Sequence, residues 1–93
     1  MYFVYIITNR RYGTLYVGVT RDLVKRIYEH RSGVVAGFSK EHDLGLLVWY
    51  ESHEDVIAAI EREKKIKKWR RDWKVNLIQT ENPAWKDLYE SII

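Results

Sequence analysis

The chain has no cysteine, which excludes disulfides, thiolate metal sites and thiol nucleophiles together. No apolar run approaches the ~20 residues needed to span a bilayer. The opening stretch, MYFVYIITNRRYG, lacks a basic leader and a small-residue cleavage site, so it reads as a first strand and not as a signal peptide. A cytoplasmic protein is the expectation. No repeat, low-complexity tract or linker breaks up the 93 residues, a length that suits one core better than two. Residues 1–93 are therefore expected to form a single domain.

What is present is apolar and basic. Apolar residues make up 46% of the chain, so a packed core is expected. The net charge of +3 is unevenly spread: residues 61–74, EREKKIKKWRRDWK, carry eight Lys or Arg against three acids, and residues 1–31 carry six against two. Local basic surface of this kind favours polyanions. The blander reading is a solvated helix face laced with charge pairs.

The apolar patterning predicts the order ββαβαα with a short last helix, an α+β domain on a small sheet. YFVYIIT (2–8) and TLYVGV (14–19) read as a hairpin. Residues 20–33 read as a helix, with Thr20 as N-cap, Asp22 in the first turn and Gly33 as the stop. Residues 34–43 read as a loop that could lie beside a substrate, and 44–52 as a third strand. Ser52 and Asp55 resemble a capping box for a long helix from about 53 to 69. A further helix is expected over 71–79, and Asn82 with Pro83 makes an N-cap and N1 pair for a helix over 83–90. Of the aromatics Trp69, Trp73, Trp85 and Tyr89, most are expected in the core.

Within the long helix, Glu63 is the odd residue. At ~100° per residue and with Val56 at zero, Ala59 falls near ~300°, Ile66 near ~280°, Ile60 near ~40° and Glu63 near ~340°, within the apolar arc. Glu61 falls near ~140°, among Lys64, Lys65 and Lys68. A carboxylate drawn out of water needs a partner. A salt bridge to Lys67 or Arg26 would serve, and so would a divalent cation. In the first helix, Leu23, Ile27 and Val24 form the expected core side, with Arg26 and His30 neighbours on its flank. In the hairpin, Tyr5 and Tyr16 project from one sheet face if the register pairs them. Gly18 inside a strand suggests close approach of a backbone or a ligand.

Together these residues resemble a known family. F-V-Y at 3–5 and Y-V-G at 16–18 are similar to the two half-motifs of the GIY-YIG nucleases. R-x-x-x-H follows at 26–30, and E-x-x-I-K at 63–67 resembles the helix that bears the family's metal-binding glutamate. The resemblance runs through N-P-A-W-K-D-L at 82–88 and is to the small stand-alone bacterial members. It implies a central antiparallel three-stranded sheet flanked by helices, and metal-dependent cleavage of a DNA phosphodiester with Mg²⁺ or Mn²⁺. It also implies kinship with the excision-repair nuclease. By position, Tyr5, Tyr16, Arg26, His30 and Glu63 match the catalytic set, with Glu63 as the metal ligand and either tyrosine as the base. Gly18, Arg10, Arg11, Lys25, Lys64 and Lys67 are expected to line the substrate, with Lys65, Lys68, Arg70 and Arg71 flanking the cleft. Phe3 and Val4 replace the Gly and Ile of the first half-motif, Val19 stands where some relatives have Lys, and Asn76 is nearest to their late Asn. RNA stays open as a substrate, as does a second copy or partner protein for cutting both strands. The rival class is a non-catalytic nucleic-acid-binding module of the same fold. A protein-interaction domain using an exposed aromatic patch is the third.

Overall fold

The computed structural model describes residues 1–34, 37 and 42–93, so most of the expected loop at 34–43 lies outside the described residues. Three strands form one antiparallel sheet: β1 (Tyr2–Thr8), β2 (Leu15–Thr20) and β3 (Leu46–His53), in the order β2-β1-β3. Among the described residues four helices accompany them: α1 (Leu23–Arg31), α2 (Val56–Lys68), α3 (Arg71–Glu81) and α4 (Tyr89–Ile92). The α+β class and the three-stranded antiparallel sheet are as expected.

Both faces of the sheet are covered, which explains why Val4 through Thr8 are all buried and why β1 reads as a continuous apolar run. On one face, Val4, Ile6 and Val17 pack with Ala59 and Ile66 of α2 and Ile78 of α3. On the other, Tyr5 and Ile7 pack with Leu23 and Ile27 of α1, while Leu88, Tyr89 and Ile92 close the margin. A bulge interrupts the β1–β3 register, where Ile6 faces Trp49 but Ile7 faces Leu47. The extra residue, Val48, lets Val48 and Trp49 enter the same core cluster, which strict alternation forbids. Among the described residues, no helix is long and apolar enough to cross a membrane.

Several boundaries differ from the sequence reading. The N-cap of α1 is Asp22 and not Thr20: its carboxylate accepts from the Lys25 amide at 3.1 Å. The Thr20 hydroxyl instead accepts from the Asp22 amide at 3.1 Å, shaping the turn before the helix. Asp55 alone caps α2, accepting from the Ala58 amide at 3.1 Å, while Ser52 lies within β3, which runs on to His53. Val24, expected in the core, is exposed.

Asn82 does not start a helix. It is the C-cap of α3 and is itself buried. Its carboxamide donates to the Val48 carbonyl at 3.0 Å and the Lys86 carbonyl at 2.8 Å, and accepts from the Lys86 amide at 3.0 Å. An asparagine that satisfies three backbone groups ties the chain down as a turn. The last helix therefore shrinks to Tyr89–Ile92. Asp87 anchors it, accepting from the Leu47 and Tyr89 amides at 3.1 Å each and from Arg31 at 2.6 Å. Of the four aromatics, only Trp85 is fully buried, and Trp73 is exposed.

Candidate active site

The sheet register brings the hairpin residues together. Tyr5 lies opposite Gly18, and Tyr16 lies opposite Ile7. Tyr5 and Tyr16 are thus diagonal neighbours and not a direct pair, but they share a face, with ring centroids 6.5 Å apart. Gly18 matters for packing. A Cβ there would sit 2.4 Å from both Cζ and the hydroxyl oxygen of Tyr5. The close approach that Gly18 permits is therefore to the Tyr5 ring, not to a substrate or a second backbone.

From above this face, α1 contributes Arg26 and His30. His30 is buried, and its Nε2 lies 2.9 Å from the Tyr5 hydroxyl. The Arg26 guanidinium lies near enough to the same hydroxyl to favour its ionised form, and pairs with Glu29 at 3.5 Å. Burial, with the Arg26 charge adding to it, pushes the His30 pKa down to about 4. The imidazole is accordingly neutral at neutral pH. A neutral imidazole and a phenol can each donate or accept in this contact. Burial pushes the Tyr5 pKa up to about 12, and the nearby Arg26 guanidinium offsets this only in part. Desolvation dominates at both groups, so His30 brings no positive charge that would ease Tyr5 toward phenolate.

Glu63 comes from α2, which packs on the opposite face, next to the edge strand β2. The buried side of α2 is Ala59, Glu63 and Ile66, while Val56, Ile57 and Ile60 are exposed. Glu63 therefore marks the border of the buried arc and not its centre. That position aims it past the edge of β2 toward the tyrosine face. Its charge bears on the Tyr5 phenol. Its Oε2 accepts a 2.6 Å ion pair from Lys67, whose ammonium also lies 5.7 Å from the Tyr16 ring centroid. Tyr5, Tyr16 and His30 thus meet on one face of the sheet, and Lys67 links Glu63 to the Tyr16 ring.

The other expected contacts divide. Lys25 and Arg26 line a groove of about 390 Å³ with Thr20, Arg21, Asp22 and Glu29. Arg21 was missed, although its place between β2 and the α1 cap could have signalled it. Arg10 and Arg11 are not brought to the site. Their loop is held against α3 by Arg71, which donates to the Tyr12 carbonyl at 2.8 Å and the Gly13 carbonyl at 2.7 Å. Arg71 is thereby committed to structure, and Arg70 pairs with Asp72 at 3.2 Å. Lys64, Lys65 and Lys68 are exposed on α2. Asn76 is exposed on α3 and takes no part in the cluster.

No group of three or more His, Cys, Asp or Glu side chains that could hold a metal occurs among the described residues. A lone carboxylate still fits Mg²⁺, which keeps most of its waters and takes one or two carboxylates plus substrate phosphate oxygens. It does not fit zinc, which needs three or four protein ligands.

This sheet, with two tyrosines on its hairpin, an arginine and histidine on the first helix and a glutamate on the second, is that of a nuclease domain. The GIY-YIG catalytic domain family matches residues 1–76, and the chain belongs to that family. It is 34% identical to a UPF0213 protein of Staphylococcus saprophyticus over 77 residues, covering 83% of this chain and 93% of that one. It is 35% identical to a UPF0213 protein of Staphylococcus aureus over 78 residues, covering 84% and 94%. The solution NMR structure of a UPF0213 protein from Bacillus halodurans shares the fold, with a TM-score of 0.59, 26% identity, and coverage of 94% of this chain and 93% of that one. The family supports a nuclease-type function acting on nucleic acid.

Proposed function

We propose that the chain is a divalent-metal-dependent endonuclease that hydrolyses DNA phosphodiester bonds at the margin of β2. One observation carries this reading: a lone inward carboxylate, Glu63, pairs with a lysine that reaches the ring of Tyr16, which lies beside Tyr5 and His30, although α2 packs on the far face of the sheet. A core has no need of that grouping, whereas phosphodiester hydrolysis needs each part of it.

Glu63 is the residue that would hold Mg²⁺ or Mn²⁺, with water and phosphate oxygens completing the shell. Bound there, the cation would neutralise charge on the phosphate and on the leaving 3′ oxygen. Arg26 is partly exposed, with 38% of its side chain accessible, and pairs loosely with Glu29 at 3.5 Å, so it can turn its planar donor set to a phosphate. The groove beside it, with Lys25 and Arg21, offers charge to the neighbouring backbone phosphates.

Tyr16 takes the proton from the attacking water. The new bond forms between the water oxygen and phosphorus, the bond from phosphorus to the 3′ oxygen breaks, and solvent protonates the leaving oxygen. Tyr5 is unsuited to that role, because its pKa is held up to about 12 and its hydroxyl is already bonded to His30. The neutral imidazole of His30 adds no competing charge beside the Arg26 guanidinium.

Relaxation of supercoiled plasmid tests the proposal. Purified protein with Mg²⁺ or Mn²⁺ should nick it, and chelator should stop the reaction. DNA retention without nicking under any divalent cation would establish the binding-module alternative.

A further inference from the structure

Lys67 is not free to meet a substrate. Its ammonium is 2.6 Å from Glu63 Oε2, with the lysine side chain 48% exposed and the glutamate 11%. The same ammonium lies 5.7 Å from the centroid of the Tyr16 ring. Glutamate four residues before lysine is the favourable orientation for such a pair on a helix. The carboxylate is the more buried partner, so the cation comes to it from the solvent side. That is also the approach open to a metal ion.

We propose that Lys67 is a built-in counter-ion for Glu63 that a divalent cation must displace, so the free protein binds metal weakly and the DNA phosphate completes the exchange. This rests on the reading of Glu63 as the metal ligand. Two physical points support it. A carboxylate removed from water needs a countercharge, and Lys67 supplies one at 2.6 Å. A mobile ammonium released from Glu63 also has a new partner at hand, because an incoming phosphate is an anion a few ångströms away. Metal and DNA affinities would then be linked, and linkage is reciprocal.

The alternative use of Lys67, as a plain backbone-phosphate contact, makes a different prediction. It would leave metal binding by the free protein unchanged when the charge is removed.

The test is Mn²⁺ affinity in the absence of DNA, read from the paramagnetic signal of the free ion at neutral pH. Lys67→Met keeps the aliphatic stem and removes the charge. It should bind Mn²⁺ about two- to fivefold more tightly than wild type, the scale expected for removing one partly exposed competing ion pair. Lys67→Arg should stay near wild type, because the competitor remains. Lys65→Met, an equal charge change on the exposed side of α2, should also stay near wild type, and a gain there equal to that of Lys67→Met would overturn the proposal. Glu63→Gln combined with Lys67→Met should lose the gain. If Glu63→Gln weakens Mn²⁺ binding while Lys67→Met matches or falls below wild type, the counter-ion role is wrong and the metal assignment stands. If Glu63→Gln leaves Mn²⁺ binding unchanged, both fail.

Discussion

Gly18 lies directly under the ring of Tyr5, across the β1–β2 register. The absence of a side chain at one position thus fixes where the phenol at the other can rest. It also fixes the Tyr5–His30 contact, because the hydroxyl that meets the α1 imidazole is held over that gap.

Gly18→Ala should therefore act on the site through packing. The new Cβ would meet Tyr5 at 2.4 Å, so the ring must move and its hydrogen bonds break. A loss of about 1–3 kcal/mol in urea unfolding is expected, in the range for overpacking a well-filled core, together with reduced cleavage. Unchanged stability would mean that the ring is not seated as described.

The two tyrosines should separate stability from rate. Tyr5→Phe removes the buried hydrogen bond between the phenol and His30 Nε2, which should cost about 1–2 kcal/mol. Tyr16→Phe should lower single-turnover cleavage by about 100-fold or more, the scale of a lost general base, whereas Tyr5→Phe should lower it less. The reverse pattern would make Tyr5 the base.

Acid stability should carry the mark of His30. Its pKa is about 4 in the folded chain, against 6.5 for the ordinary group. Between those values the unfolded chain binds the extra proton, so stability rises with pH through that window and levels off above it. A shift of that size corresponds to roughly 1–3 kcal/mol. Asp87 acts lower on the scale. Burial alone would raise its pKa, but the hydrogen bonds from Arg31 and from the Tyr89 and Leu47 amides hold it below the ordinary value. Its contribution is present above that ordinary value and is lost as pH falls through the folded one. His30→Gln should flatten the upper window and leave the lower one, as followed by urea midpoints across pH.

The chemistry-bearing residues are legible in the sequence because spacing fixes them. Tyr5 and Tyr16 share a face by alternation, Arg26 and His30 share a helix flank, and Glu63 falls on the side of α2 that is buried. What spacing leaves open is how burial distributes the protons. The sequence allows a charged His30 to ease Tyr5 toward phenolate, whereas desolvation does the opposite to both groups. Nor does pattern reveal competition for a side chain. Asn82 looks like a helix N-cap because Pro83 follows it, yet three backbone groups around Val48 and Lys86 claim its carboxamide first. Arg71 looks like a DNA contact until the hairpin loop, 58 residues away in sequence, is seen to occupy it. The bulge at Val48 is invisible for a related reason: an extra residue in a strand changes the neighbours and not the composition.

The most direct measurement is single-turnover cleavage of a labelled DNA duplex with Mg²⁺ by wild type, Glu63→Gln and Glu61→Gln. These two glutamates lie two residues apart on α2, one buried and one exposed. The account predicts a loss of about 100-fold or more at Glu63 and a rate near wild type at Glu61. Equal rates for the two variants would contradict it.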